Sequence, residues 1–199
     1  MSSWRLALVI SIVALVPMSG GCSLPEGDQS SPTQLHYLWV KVRAAGDADR
    51  MWDLLHPDVR AEFERWLTAE KRTVNEIKTA YPKEDAVKAL EVIGGSKRGE
   101  LDAPKSLFKL FVRPTPDAPG SLGEVAAHVK SEDLSADGAT ATIRTYGGDE
   151  VVFQKGGDGQ WYATLAPDEL VRLKTARANA ERNLERVKAN LQKLGRNKP

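Results

Sequence analysis

An α+β domain is predicted, with helices first, an antiparallel meander next and a long helix last. Two observations carry this. Apolar residues recur at helical spacing from Thr33 to Leu110, at alternate positions from Glu124 to Leu165, and at helical spacing again after Pro167. The change of period coincides with a change of punctuation, from Pro and Asp starts to turns rich in Gly and Asp. Helices followed by short strands form segregated layers, not a parallel sheet with crossover helices.

In the first half, Thr33 to Ala45 carries Leu35, Leu38, Trp39 and Val42 on one stripe, and Gly46 follows where a left-handed helix end is common. Asp47 suits the cap of a second short helix bearing Met51, Trp52, Leu54 and Leu55. Pro57 fits the first position of a third helix reaching about Ala80, with Val59, Phe63, Trp66 and Leu67 facing inward. Val74 and Ile77 continue that face less regularly. Pro82 opens a fourth helix, Lys83 to Ile93, and Pro104 a short fifth with Leu107, Phe108 and Leu110.

Four strands follow, at Glu124 to Lys130, Ala139 to Tyr146, Glu150 to Lys155 and Gln160 to Leu165. Ala136-Asp137-Gly138, Gly147-Gly148-Asp149 and Gly156-Gly157-Asp158-Gly159 separate them, as in a meander of hairpins. Val125, Ala127 and Val129 alternate with His128 and Lys130, and Trp161, Ala163 and Leu165 with Tyr162 and Thr164, which gives one covered face. Pro167-Asp168-Glu169 opens the last helix, with Leu170, Leu173, Ala180, Leu184, Val187, Leu191 and Leu194 as its seam. Through Leu194 it would run about 42 Å. Residues 167–199 hold nine basic and four acidic residues, mostly off that seam. The half beyond Ala180 has no evident second stripe to meet, so it is expected to fray unless it finds a partner.

The first 22 residues bear on location. Arg5 precedes an apolar run from Leu6 to Val16, and small residues lead to Cys22, the three-part layout of a secretory signal peptide. This run of 11 residues, broken only by Ser11, would span roughly 16 Å as a helix, about half of a ~30 Å hydrocarbon core. Cys22 is the only cysteine, so no disulfide can form within the chain. Gly20-Gly21-Cys22 resembles the cleavage site of bacterial lipoprotein precursors, with Ser19 where that family usually has Leu, Val or Ile. The resemblance implies cleavage between Gly21 and Cys22, lipid on the Cys22 sulfur, and attachment to a membrane. Ser23 after the cysteine implies the outer membrane, facing the periplasm, by that family's sorting pattern. Residues 22–32 hold Pro, Gly, Ser and Asp with Leu24 as their one large apolar side chain, and read as a flexible tether. Residues 33–166 then form the α+β domain and 167–199 the amphipathic helix.

Of 28 basic residues, only Arg5 lies before Cys22, so the mature chain is close to neutral against 27 acidic ones. That gives no general case for nucleic-acid binding. The segment around Gly46-Asp47-Ala48-Asp49-Arg50-Met51-Trp52, with the closing Asp158-Gly159-Gln160-Trp161-Tyr162, resembles the nuclear transport factor 2-like domains, which are cone-shaped α+β folds. That resemblance implies a pocket between sheet and helices near Trp52, His128, Tyr146 and Trp161, where Asp53 could join His128 and Tyr146 in acid-base work. Trp39, Trp52, Trp66 and Trp161 also lie on apolar stripes and read as core.

His36, His56 and His128 are not spaced as helical metal ligands, so no metal site is expected. His56 before Pro57 reads as a turn residue. No Gly-rich loop links a strand to a helix as a phosphate cradle needs, and no cofactor is expected. The expected role is a membrane-anchored binding or scaffolding module without catalysis, with self-association or an envelope protein partner through the last helix. The alternative is a ligand-binding or ketosteroid-isomerase-like use of the cone pocket.

Overall fold

The computed structural model describes residues 24–112 and 125–196, so Gly21, Cys22 and the apolar leader lie outside the described residues. Five helices make the first half: α1 (Pro32–Ala44), α2 (Ala48–Leu54), α3 (Pro57–Ala80), α4 (Lys83–Val92) and α5 (Pro104–Phe111). Their starts follow the sequence signals. The Ser31 hydroxyl accepts from the Gln34 N–H at 3.2 Å ahead of Pro32, and Asp47 accepts from the Arg50 N–H at 3.0 Å. Each satisfies a donor that a helix's first turn leaves without an intrahelical partner. His56 does more than turn the chain, because its Nδ1 accepts from the Asp58 N–H at 3.3 Å and caps α3.

Four strands, β1 (Val129–Leu134), β2 (Thr140–Thr145), β3 (Glu150–Lys155) and β4 (Trp161–Ala163), form one antiparallel sheet in sequential order. Ala141 pairs with Phe153 and Phe153 with Ala163, and all three are fully buried, so this row is the inner face. The first strand starts later than its alternation predicts. Residues 125–127 form a helical turn, and Val125 is exposed. The Gly147 N–H donates to the Ala126 carbonyl at 2.8 Å, so the β2–β3 turn closes on this segment from outside the ladder. Strand β4 is buried on both faces, since Tyr162 packs edge-on against His56 while Trp161 and Ala163 face the core.

The free edge of β4 is covered by segments far away in sequence. Leu55 bridges Ala163, and the His56 N–H donates to the Ala163 carbonyl at 2.9 Å. One residue pair along, the Trp161 N–H donates to the Gln29 carbonyl at 3.1 Å and Gln29 Nε2 donates to the Trp161 carbonyl at 2.9 Å. Residues 24–31 are therefore a docked strap and not the free tether their composition suggests, and Leu24 is buried within it. What holds the strap is the pairing of the Gln29 carbonyl and side-chain amide with an edge strand, which composition does not encode. Gly27 sits at φ +72°, and a Cβ there would lie 2.3 Å from the Gln34 carbonyl oxygen. Gly27→Ala is expected to lower the unfolding free energy by about 1–3 kcal/mol, the scale of a left-handed backbone held against a clash. Urea titration of the two proteins checks this, and equal midpoints would mean the strap is not docked.

The last helix, α6 (Pro167–Arg196), packs along α3. The two run in the same direction. Both start beside β4, Arg177 Nε lies 3.2 Å from Glu62 Oε2, and farther along the Tyr81 hydroxyl donates to the Val187 carbonyl at 3.4 Å. The expected fraying end is corrected by this packing. Leu184 and Val187 are buried, as are Val74 and Ile77 on the second half of α3. The irregular continuation of the α3 stripe supplies the second surface. Leu191 is half-buried, and the Leu194 side chain lies outside the described residues. The outer face, with Arg172, Lys174, Arg186 and Lys188, is exposed.

The core joins α1, α2, α3, α5, the sheet and the first half of α6. At one end it is aromatic. Phe63 is fully buried, with ring centroids of Trp52, Phe108 and Phe111 at 5.8, 5.5 and 5.4 Å. On α5, Leu107 and Phe108 are buried and Leu110 is exposed.

Candidate functional site

The central element of the site is α1, whose buried residues are Pro32, Leu35, His36, Tyr37, Leu38, Trp39 and Val42. A helix with one stripe would bury Leu35, Leu38, Trp39 and Val42 alone. His36 and Tyr37 are buried as well because α1 touches β1, β2 and β4 on its other side.

His36 is 2% exposed. Its Nε2 lies 2.8 Å from the Ala127 carbonyl oxygen. A carbonyl can only accept, so Nε2 carries the proton and Nδ1 holds a lone pair in the neutral ring. Nδ1 is buried and has no hydrogen-bond partner. The ring stands edge-on to Tyr37 and Phe153, with centroids at 5.7 and 6.3 Å. Burial pushes the His36 pKa down, partly offset by the Ala127 hydrogen bond and the Asp149 charge. A buried imidazolium would leave an Nδ1–H with nothing to accept it.

His36 lines a groove of about 1540 Å³ bounded by α1, the starts of α3 and α6, the outer parts of β2 and β3, and the strap. Its apolar lining includes Leu24, Trp39, Val59, Val151, Leu165 and Leu170. Six carboxylates line it, from Glu26, Asp58, Glu62, Asp149, Glu150 and Glu169, against the three strong bases Lys41, Arg43 and Lys174. Glu62 is tied to Arg177 across the α3–α6 seam and to Arg65 at 2.9 Å. At about 1540 Å³ the groove exceeds the ~300–1,000 Å³ typical of small-molecule pockets.

The residues expected at the pocket are dispersed. Trp52 is partly buried among Phe63 and Phe108, and Trp161 is buried beneath Lys155, whose ammonium lies 5.9 Å from the ring centroid. His128 stands edge-on to Tyr37 at 5.9 Å. Tyr146 is 68% exposed, although its N–H donates to the His128 carbonyl at 3.0 Å. Asp53 is exposed on α2 and reaches Lys105 of α5 at 3.4 Å, beside the Lys109–Asp49 pair at 2.7 Å. Asp53, His128 and Tyr146 thus do not form an acid-base set, and none of the expected four lines the groove. The groove residue that sequence reasoning passed over is His36. The signal was faint: a histidine one position off an apolar stripe, in a helix short enough to be enclosed.

Among the described residues, no group of three or more His, Asp or Glu side chains is placed to hold a metal ion. No described helix is long and apolar enough to cross a membrane.

The neutral state of His36 has a consequence for stability. Its folded pKa lies below the unfolded value of about 6.5, so between the two the unfolded chain binds more protons. Stability is therefore expected to fall as pH drops below about 6.5, and to level off once the folded form also protonates. His36→Gln keeps an N–H donor for Ala127 without a titrating ring, and is expected to flatten that slope. Denaturant midpoints at several pH values for both proteins check it; parallel curves would remove His36 as the cause.

No protein-family model, curated protein or solved structure matches the chain.

Proposed function

We propose that the protein is a lipid-anchored binding module of the cell envelope, held to the membrane through Cys22 and taking a small ligand in the groove that His36 lines. The single observation that carries the ligand reading is the groove of about 1540 Å³ between α1, the sheet and the starts of α3 and α6, with His36 among its lining residues. The aromatic end of the core is filled, so binding belongs to the groove and not to the space around Trp52. The nuclear transport factor 2-like identity belongs to the same proposal, supported by the order of helices followed by an antiparallel sheet before Pro167.

For the anchor, the support is the lone cysteine after Gly20-Gly21 at the end of an apolar leader. Two acyl chains hold a protein stably where one is marginal, at about 0.8 kcal/mol per buried methylene. The orientation proposed is outer membrane, facing the periplasm, following Ser23. Cys22→Ser is expected to shift the protein from the membrane fraction to the soluble fraction or to leave uncleaved precursor. Fractionation together with the mass of the native N-terminus checks this, and a serine variant still lipidated and membrane-bound would overturn the anchor.

The role of α6 in partner binding is proposed only for its exposed basic face, since its apolar seam is occupied by α3 through Val187. No catalysis is proposed, because among the described residues the one partner of the His36 ring is a backbone carbonyl.

A further inference from the structure

We infer that the outer face of α6 is an electrostatic docking surface for an anionic phospholipid bilayer, with Arg182, Arg186 and Lys193 as its contact row. This use of the face deepens the partner role proposed for α6 and rests on that reading. It needs neither the Cys22 anchor nor the groove.

The orientation of α6 is fixed by its other side. Leu173, Ala180, Leu184 and Val187 are buried, and Arg177 lies 3.2 Å from Glu62 across the α3 seam. At about 100° per residue, Arg182, Arg186 and Lys193 fall roughly opposite that buried stripe, and all three are exposed. The row is about 16 Å long, and Ala178 and Ala189 beside it leave nothing taller in the way. Arg172 borders the row, its guanidinium held 4.9 Å from the Phe111 ring centroid.

The acids of the helix are committed elsewhere. Glu181 lies 3.8 Å from Arg177, and Glu185 lies 2.9 Å from Lys188, both to one side of the row. Among the described residues no carboxylate pairs with Arg182, Arg186 or Lys193, and Arg182 donates to the Asn179 side-chain oxygen. Asp168, an acid in line with the row, lies about 21 Å before Arg182 along the axis, beyond the ~8 Å screening length at physiological salt. The residues between the bases decide the kind of surface. From Thr175 to Lys193 the outer face carries Thr, Ala and Asn beside its bases and no large apolar side chain. A stable protein interface is centred on well-packed, desolvated anchors, and an inserting helix needs large apolar side chains. A row of unpaired bases without either matches a hydrated headgroup surface, where attraction acts without burial. Neither the groove nor the smaller cavity beside Gly27 is lined by the row, so its occupant is not a ligand enclosed there.

The test uses the full-length chain with Cys22→Ser, so that no lipid on the protein contributes. Sedimentation with vesicles of phosphatidylcholine, and of phosphatidylcholine with one part in three of phosphatidylglycerol, gives a partition ratio in which uncharged contributions cancel. Each base near an anionic surface raises partitioning about fivefold. Arg182→Gln, Arg186→Gln and Lys193→Gln together are therefore expected to lower binding to the anionic vesicles about a hundredfold and leave binding to the neutral ones unchanged. Removing as many exposed charges elsewhere, with Arg50→Gln, Lys130→Gln and Lys155→Gln on α2, β1 and β3, is expected to leave the ratio within about twofold. An equal loss in both triple variants would make the effect one of net charge and overturn the docking face, as would an unchanged ratio in the first. Inorganic polyphosphate at the same phosphate concentration is the third arm. If it binds more tightly than the anionic vesicles and the α6 variant loses it, the basic face keeps a partner role but the bilayer assignment falls. If the α6 variant loses neither, both fall.

Discussion

Truncating Phe63 to Ala is expected to lower the unfolding free energy by about 3–5 kcal/mol, the range for removing a buried aromatic ring. Phe63 is fully buried and stands edge-on to Trp52, Phe108 and Phe111, so one ring ties α2, α3 and α5 together. Edge contacts of this kind add about 0.5–1.5 kcal/mol beyond area burial. The aromatic cluster carries much of the attachment of α5, because the Lys105 and Lys109 pairs to α2 are exposed. Such pairs contribute little in water. Trp52→Ala should cost less than Phe63→Ala, since Trp52 is only partly buried. Urea unfolding followed by far-UV circular dichroism measures both. A loss below about 1 kcal/mol at Phe63 would contradict this packing.

Deleting residues 183–199 is expected to lower the melting temperature by roughly 6–20 °C while leaving the association state unchanged. The deletion removes Leu184 and Val187, both buried, and uncovers Val74 and Ile77 on α3. Losing two buried aliphatic side chains costs on the order of 3–5 kcal/mol, and a chain of this size shifts by about 2–4 °C per kcal/mol. The Tyr81–Val187 contact, which fixes the far end of α6 against α3, goes as well. Calorimetry and sedimentation velocity on the full and truncated chains separate two accounts of this helix end. If the truncated protein melts where the full chain does but sediments as a smaller species, the seam beyond Ala180 joins molecules instead of helices.

Much of the fold was legible because local rules and tertiary packing agree. Prolines 32, 57, 104 and 167 each open a helix, where a missing N–H costs nothing. Glu150–Lys155 is a strand as its turn-bounded pattern requires, and the last helix runs as its seam predicts. The α+β order needed only the change of period near residue 125. The misses share a cause. The tether reading of residues 24–31 weighed local composition, whereas Gln29 is held to β4, 132 positions away, through its carbonyl and its side-chain amide. The strand expected at Glu124 begins only at Val129, because the Gly147 turn engages Ala126 outside the ladder.

The candidate site divides in the same way. By itself the sequence determined the lone cysteine and the apolar run before it, the succession of helices and strands, and the near-neutral charge, all properties of short stretches or of composition. Tertiary structure decided which side chains share a space. It placed Tyr146 in solvent and Asp53 on Lys105, and enclosed His36 with one nitrogen satisfied and the other bare. Periodicity reports one buried face per helix; α1 is covered on several sides by elements far along the chain, and only their arrival makes His36 a buried base beside a groove.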